Sequence, residues 1–205
     1  MSKVVPLNKR FDGYLPVVVD VETSGVDPAR NALLEVAAIN LVSDEEGIIS
    51  PDKESFSTHV LAFEGAVIDQ KALQINKIDP YHPFRFALDE AKALQELFAY
   101  VEKGVRQARC RRAVLVGHNA HFDLSFVRAA MKRAKITKSP FHAFTVFDTA
   151  SIGGLVYGKT ILAKVLKQAK IDFNKDEAHS ALYDTQKTAE LFCQAVNKIP
   201  LDWFS

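Results

Sequence analysis

Asp20 and Glu22 stand two residues apart at the end of a β-branched run, Val17-Val18-Val19-Asp20-Val21-Glu22-Thr23. On a strand, side chains two apart leave the same face. Two carboxylates side by side where a strand leaves its sheet repel each other and lose hydration, and a divalent cation relieves both. A site built of carboxylates suits Mg²⁺ or Mn²⁺ better than Zn²⁺. The plain alternative for this segment alone is a pair of solvated acids at a strand end.

Two further segments repeat the pattern. In His118-Asn119-Ala120-His121-Phe122-Asp123, an apolar run ending at Gly117 delivers the chain to Asp123, near the start of a helix. An isolated acid there is ordinary, because the helix dipole favours it. His118 and His121 have no cysteine or third histidine at a zinc-binding spacing. In His179-Ser180-Ala181-Leu182-Tyr183-Asp184, the histidine stands at the entrance of the last helix, five positions before the acid. From there it can lean toward whatever Asp184 faces, although a surface histidine is the alternative. Taken together, the segments offer four carboxylates from remote stretches that could converge on one point. Without a cation such a cluster costs folding free energy, since unpaired buried charge is expensive.

The elements that must position these groups are legible in outline. Val17–Val21 reads as a buried strand, Leu33–Val42 as a second with Glu35 near its start, and Glu54–Val60 as a third. Asp69–Asn76 suits a short helix. Leu88–Val105 carries apolar residues at Leu88, Ala91, Leu94, Leu97, Phe98 and Val101, the period of a longer one. Ala113–Gly117 is a buried strand, Asp123–Ala134 an amphipathic helix, and Phe144–Phe147 a short strand. Thr160–Ala169 and Ser180–Lys198 close the chain as helices. These signals describe an α/β protein, a mixed sheet of about five strands with helices packed on it.

Length and composition set the limits. The chain has 205 residues and carries 48% apolar and 25% charged residues, which fits one α/β domain over residues 1–205. A net charge of +1 means that any basic surface is local. Cys110 and Cys193 form neither a zinc pattern nor a disulfide framework and are expected as reduced thiols. No apolar run approaches the roughly 20 residues of a membrane span, and Met1–Tyr14 lacks a signal-peptide core. The expectation is a cytoplasmic protein with no membrane partner.

With all three acidic segments in view, the chain resembles the DEDD exonuclease superfamily, in its histidine branch. Asp20-Val21-Glu22-Thr23 is similar to the family's Asp-x-Glu-Thr, His118 to Asp123 to its His-Asn-x-x-Phe-Asp, and His179 to Asp184 to its His-x-x-x-x-Asp. The resemblance extends through Ala32–Ala38, Ser139–His142, Phe147–Ala150 and Ala178–Phe192. It covers nearly the whole chain and fits best the single-domain members of the branch that trim RNA. Proofreading and oligoribonuclease relatives match the outer stretches less well.

The resemblance implies a ribonuclease H-like mixed five-stranded sheet flanked by α-helices and a 3′→5′ exoribonuclease that releases nucleoside 5′-monophosphates. It implies two Mg²⁺ ions per active site, replaceable by Mn²⁺, held by Asp20, Glu22, Asp123 and Asp184. It makes His179 the general base toward the attacking water. Its implied substrates are 3′ ends of tRNA and other stable RNAs, with single-stranded DNA also cut. Phe122 and Phe144 match phenylalanines that stack on terminal bases. Two other expected phenylalanines are replaced by Val26 and Ile75, and a nearby acid by Lys71, which alters the base clamp and not the hydrolytic chemistry.

Arg106, Arg109, Arg111 and Arg112 form a dense basic cluster, with Arg10 and Lys138 as further members of a phosphate-binding patch. A solvated loop is the alternative. The resemblance makes this patch serve the partner's active site in a homodimer. Two other functions compete: a DNA-directed proofreading or repair exonuclease, and an inactive nucleic-acid binding module on the same fold.

Overall fold

The computed structural model describes residues 5–174 and 176–204. Its sheet has five strands: β1 (Tyr14–Thr23), β2 (Leu33–Ser43), β3 (Ile49–His59), β4 (Arg112–Gly117) and β5 (Phe141–Asp148). They lie in the order β3-β2-β1-β4-β5. The first three form an antiparallel meander, and β4 and β5 add parallel to β1. Val17, Val18 and Val19 are all buried, as are Val114, Leu115 and Val116. Successive strand residues face opposite ways, so both faces of the central strands are covered.

The helices are α1 (Gln70–Asn76), α2 (Glu90–Gln107), α3 (His121–Arg133), α4 (Thr149–Tyr157), α5 (Leu162–Ala169) and α6 (Ala181–Val196). Helix α6 packs on the meander, while α2 and α3 pack on each other and on the sheet. Helix α2 starts where Asp89 accepts the Lys92 N–H at 2.8 Å. It then buries Ala93, Leu94, Leu97, Phe98 and Val101 at the three- and four-residue spacing of one stripe.

The structure corrects the sequence reading of several elements. Strand β3 begins at Ile49 rather than Glu54, with Pro51 tolerated on an edge strand beside a register irregularity. Strand β5 runs from Phe141, longer than the apolar run at its centre. Helix α4 was not anticipated, because Gly153-Gly154 reads as a breaker. There the missing side chain serves close packing: a Cβ on Gly153 would lie 2.9 Å from the Lys159 carbonyl oxygen and from Val165. Asp148 starts this helix by accepting the Ala150 N–H at 2.8 Å.

Both cysteines are free, and burial pushes the thiols up, Cys110 to about 11 and Cys193 to about 12. No helix among the described residues is long and apolar enough to cross a membrane.

Candidate active site

Because β1 and β4 run parallel, both deliver their C-terminal ends to the same edge of the sheet. Asp20 and Glu22 leave β1 there, and Gly117 ends β4 there. The chain turns through Asn119, which adopts a left-handed conformation that asparagine tolerates, and enters α3. Asp123, in the first turn of α3, reaches back to β1 and accepts the Val21 N–H at 3.1 Å. Gly117 makes that approach feasible. A Cβ at this position would sit 3.0 Å from Asp123 Oδ2 and 3.1 Å from the Ala120 Cα. Asp184, in the first turn of α6, accepts the His179 N–H through Oδ2 at 3.0 Å. His179 holds a left-handed φ of 68° that turns the chain into the helix. Potential ligand atoms of Glu22, His179 and Asp184 all lie within 4.8 Å of one another.

The charges follow from this crowding. Burial pushes the Asp20 carboxyl well above the usual carboxylate range, and Asp123, Glu22, Asp184 and Glu35 push it further. Burial raises Glu22 to about 8, reinforced by Asp184 and Glu35 and opposed by Asn76. Asp123 also rises to about 8 from burial, against the hydrogen bonds it accepts. Asp184 is raised by burial and pulled down by the His179 N–H and by the rings of His179 and His118. These groups compete for protons because they share one negative environment.

Sequence reasoning missed Glu35 as part of this environment. Glu35 stands directly opposite Glu22 in the β1–β2 register and is buried. Burial raises its pKa, while the Arg85 guanidinium and Ser57 lower it. The available signal was the hairpin register, which sequence spacing does not specify.

The donor set fits a hard divalent cation. It is rich in carboxylate oxygens, and Asp184 Oδ1 is buried with no hydrogen-bond partner. His118 does not offer a free ligand atom. Its Nδ1 lies 3.0 Å from the Thr149 hydroxyl, and its Nε2 lies 2.8 Å from the Thr160 carbonyl oxygen. That second bond also holds Thr160 outside α5, which begins two residues later than the sequence indicates.

An exonuclease family model named for ribonuclease T matches residues 17–192. The chain belongs to the ribonuclease T family. It is 51% identical to ribonuclease T of Vibrio parahaemolyticus over 96% of this chain and 92% of that one. It is 52% identical to ribonuclease T of Vibrio vulnificus strain YJ016 over 96% and 91%. A zinc-bound structure of E. coli exonuclease I with single-stranded DNA superposes with a TM-score of 0.72 at 18% identity, covering 93% of this chain and 42% of the other. The chain thus spans about two-fifths of exonuclease I, and that likeness concerns the fold. Like its family, this ribonuclease T relative is a 3′→5′ exoribonuclease that depends on divalent metal and acts on nucleic acid.

The expected substrate residues divide. Phe122 is half-buried beside Asp123, its ring 4.9 Å from Phe126, and Phe144 is exposed on β5. Val26, Lys71 and Ile75 are exposed as well. Arg106, Arg109, Arg111 and Arg112 gather around the opposite, N-terminal end of β4. Arg111 lies over the Tyr14 ring at 4.5 Å, and Arg112 donates to the Ser139 carbonyl at 3.1 Å. Arg106 approaches Glu102 at 3.8 Å, and Arg109 is exposed. Arg10 is not part of this patch. It is 1% exposed and donates to the Val5 and Gly47 carbonyls at 2.9 and 2.7 Å, so it serves as an internal clamp.

Proposed function

We propose that Asp20, Glu22, Asp123 and Asp184 hold two Mg²⁺ ions and that His179 is the general base of a 3′→5′ exoribonuclease acting on tRNA and other stable RNAs. The observation that carries this reading is the convergence of four acids from β1, α3 and α6 around a buried carboxylate oxygen with no partner. Bound cations would neutralise the phosphate, acidify water and stabilise the departing 3′-oxygen.

The protein's own groups supply the rest. The Asp184 carboxylate holds the His179 backbone, which fixes the entrance of the histidine onto the cleft. That cleft has a volume of about 400 Å³ and is lined by Asn76, Lys77, His179, Ser180 and Tyr183 among others. The exposed imidazole takes a proton from the attacking water, and a nucleoside 5′-monophosphate leaves. Phe122, adjacent to Asp123, sets the terminal base in register, and Phe144 offers a second ring. Arg106, Arg109, Arg111 and Arg112 hold phosphates away from the reacting bond. On this reading they serve the active site of a partner subunit in a homodimer.

The test is single-turnover hydrolysis of a 3′-labelled RNA. His179→Ala should keep metal and RNA binding and lose about 10²–10⁴-fold in rate. Normal rates in that variant end the general-base assignment. Matched RNA and DNA oligomers measure how far activity extends to single-stranded DNA, which exonuclease I binds in its crystals. A clear preference for DNA would favour the proofreading or repair reading.

A further inference from the structure

The segment between α1 and α2 holds a group of exposed rings that the family chemistry does not use. Tyr81, Phe84 and Phe86 lie within six residues, and they are 76%, 73% and 83% exposed. Single exposed aromatics are common on proteins, but three in so short a span form a local apolar surface. Nor does the segment hang free. The Asp79 side chain accepts the Tyr81 N–H at 3.0 Å, and the Asp79 carbonyl accepts the His82 N–H at 3.2 Å. His82 Nδ1 accepts the Phe84 N–H at 3.3 Å. Pro80 and Pro83 restrict the backbone further.

Arg85 anchors the middle by donating to the Val60 and Leu34 carbonyls. Leu88 closes the segment onto His59 and Leu61 through backbone bonds of 2.9 and 2.8 Å. Phe86 itself has a φ of 49°, a conformation that costs free energy for an aromatic residue and persists only where its surroundings impose it. Rings on a braced scaffold, held away from the core, make a surface prepared for a flat ligand.

The location selects the ligand. The segment begins immediately after Asn76 and Lys77, which form one wall of the His179 cleft. The Asn76 amide donates to the Thr23 carbonyl at 3.1 Å, next to Glu22. The other anchor, Arg85, bonds to Leu34, next to Glu35, which faces Glu22 across the hairpin. Both roots of the segment are therefore built onto the acid cluster. Between Asp79 and Asp89 it contains no acid and carries His82 and Arg85. A stub of exposed rings rooted on both sides of the acid cluster suits nucleotide bases, because every base has a face that can stack.

We infer that Tyr81, Phe84 and Phe86 form a stacking subsite for unpaired nucleotides upstream of the residue being removed. This inference rests on the exonuclease reading of the cleft and extends it to substrate length. With Val26 and Ile75 standing where aromatic residues were expected, the subsite moves part of the aromatic grip outward from the terminal base to the strand behind it.

The test compares a dinucleotide, which has almost no upstream strand, with a longer single-stranded RNA oligomer. The variant is Tyr81→Ala/Phe84→Ala/Phe86→Ala, and its melting curve checks the fold. KM for the oligomer should rise about tenfold to a hundredfold relative to KM for the dinucleotide. Anisotropy of a labelled oligomer in chelator should fall in parallel, with no turnover needed. Equal KM changes on both substrates, or unchanged oligomer binding, overturn the subsite. A shift in size-exclusion volume with unchanged binding would overturn it too, assigning the rings to contact between copies of the chain. Failure of the wild type to cut from the 3′ end would instead overturn the exonuclease reading, and anisotropy would still report on the rings.

Discussion

The two ends of strand β4 have opposite characters. At the C-terminal end, Gly117 leads to acids whose carboxyls are all pushed up by burial, Asp20 and Glu22 also by their acidic neighbours. At the N-terminal end, Arg112 and its neighbours are solvated or half-solvated, Arg111 leaning on a tyrosine ring and Arg112 on a carbonyl. Five residue steps separate them, about 17 Å along an extended strand. The acid end accepts a desolvation cost that only a strongly charged ligand repays. The basic end keeps its charges hydrated, which on the proposed reading lets them attract phosphate at long range and release it readily. The proposed function then concentrates chemistry where the acids are buried and capture where the arginines are hydrated, with one short strand between them.

The largest expected effect comes from the acid end. Asp20→Asn should reduce kcat by at least about 10³-fold and weaken Mg²⁺ binding measured by calorimetry. It should also raise thermal stability in chelator, because folding no longer has to protonate that buried carboxyl. Residual turnover near the wild-type level would show that Asp20 is not a ligand, and a loss of stability would show that the acids are not in conflict.

The basic end should respond differently. Arg109→Ala/Arg111→Ala/Arg112→Ala should raise KM for RNA about 10–100-fold and flatten its salt dependence, by a slope of about 0.7 for each lost phosphate contact on a single strand. A fall in kcat with KM unchanged would erase the division between the ends. Mixing this variant with Asp20→Asn tests whether the basic end serves a second subunit. Partial rescue supports the homodimer, and its absence counts against it.

The difference between the ends also explains what was legible in the sequence. The acid segments announce themselves because metal chemistry demands particular residue types at strand and helix ends. The grouping of Asp20, Glu22, Asp123, Asp184 and His179 at one edge of the sheet is therefore readable, and so are the apolar runs that carry them. Glu35 was not, because its relation to Glu22 depends on hairpin register. The basic cluster was readable as charge but not as geometry: Arg10 looks the same in sequence, yet it is internal and bonded to two carbonyls. Helix α4 was hidden by a glycine pair of which Gly153 allows close packing against Val165, a contact that exists only in three dimensions.

A pH series sharpens the contrast without mutation. In the metal-free folded protein, Glu22 and Asp123 keep their protons up to about pH 8, whereas unfolded carboxyls lose theirs near pH 4. The folded state then binds more protons than the unfolded one, so stability falls as pH rises between those limits. Below that window the penalty is absent, and above it the penalty is complete. Mg²⁺ should therefore raise Tm little at pH 5 and most at pH 8–9, by about 2–4 °C for each kcal/mol of relief. A gain that is flat with pH would mean that proton and cation do not share the site.

The smallest expected effect comes from Gly117→Ala, at the junction itself. The added Cβ would sit 3.0 Å from Asp123 Oδ2 and 3.1 Å from the Ala120 Cα. The carboxylate can rotate by a few tenths of an ångström, but the backbone at Ala120 is fixed by the start of α3. The strain therefore falls on Asp123 and its bond to the Val21 N–H. Mg²⁺ affinity should drop by about threefold to tenfold, consistent with a loss near 1 kcal/mol, with KM for RNA hardly changed. If RNA affinity fell as much as metal affinity, the junction would be transmitting strain along β4 to the arginines. The two ends would then work as one coupled unit rather than as separate sites on a rigid strand.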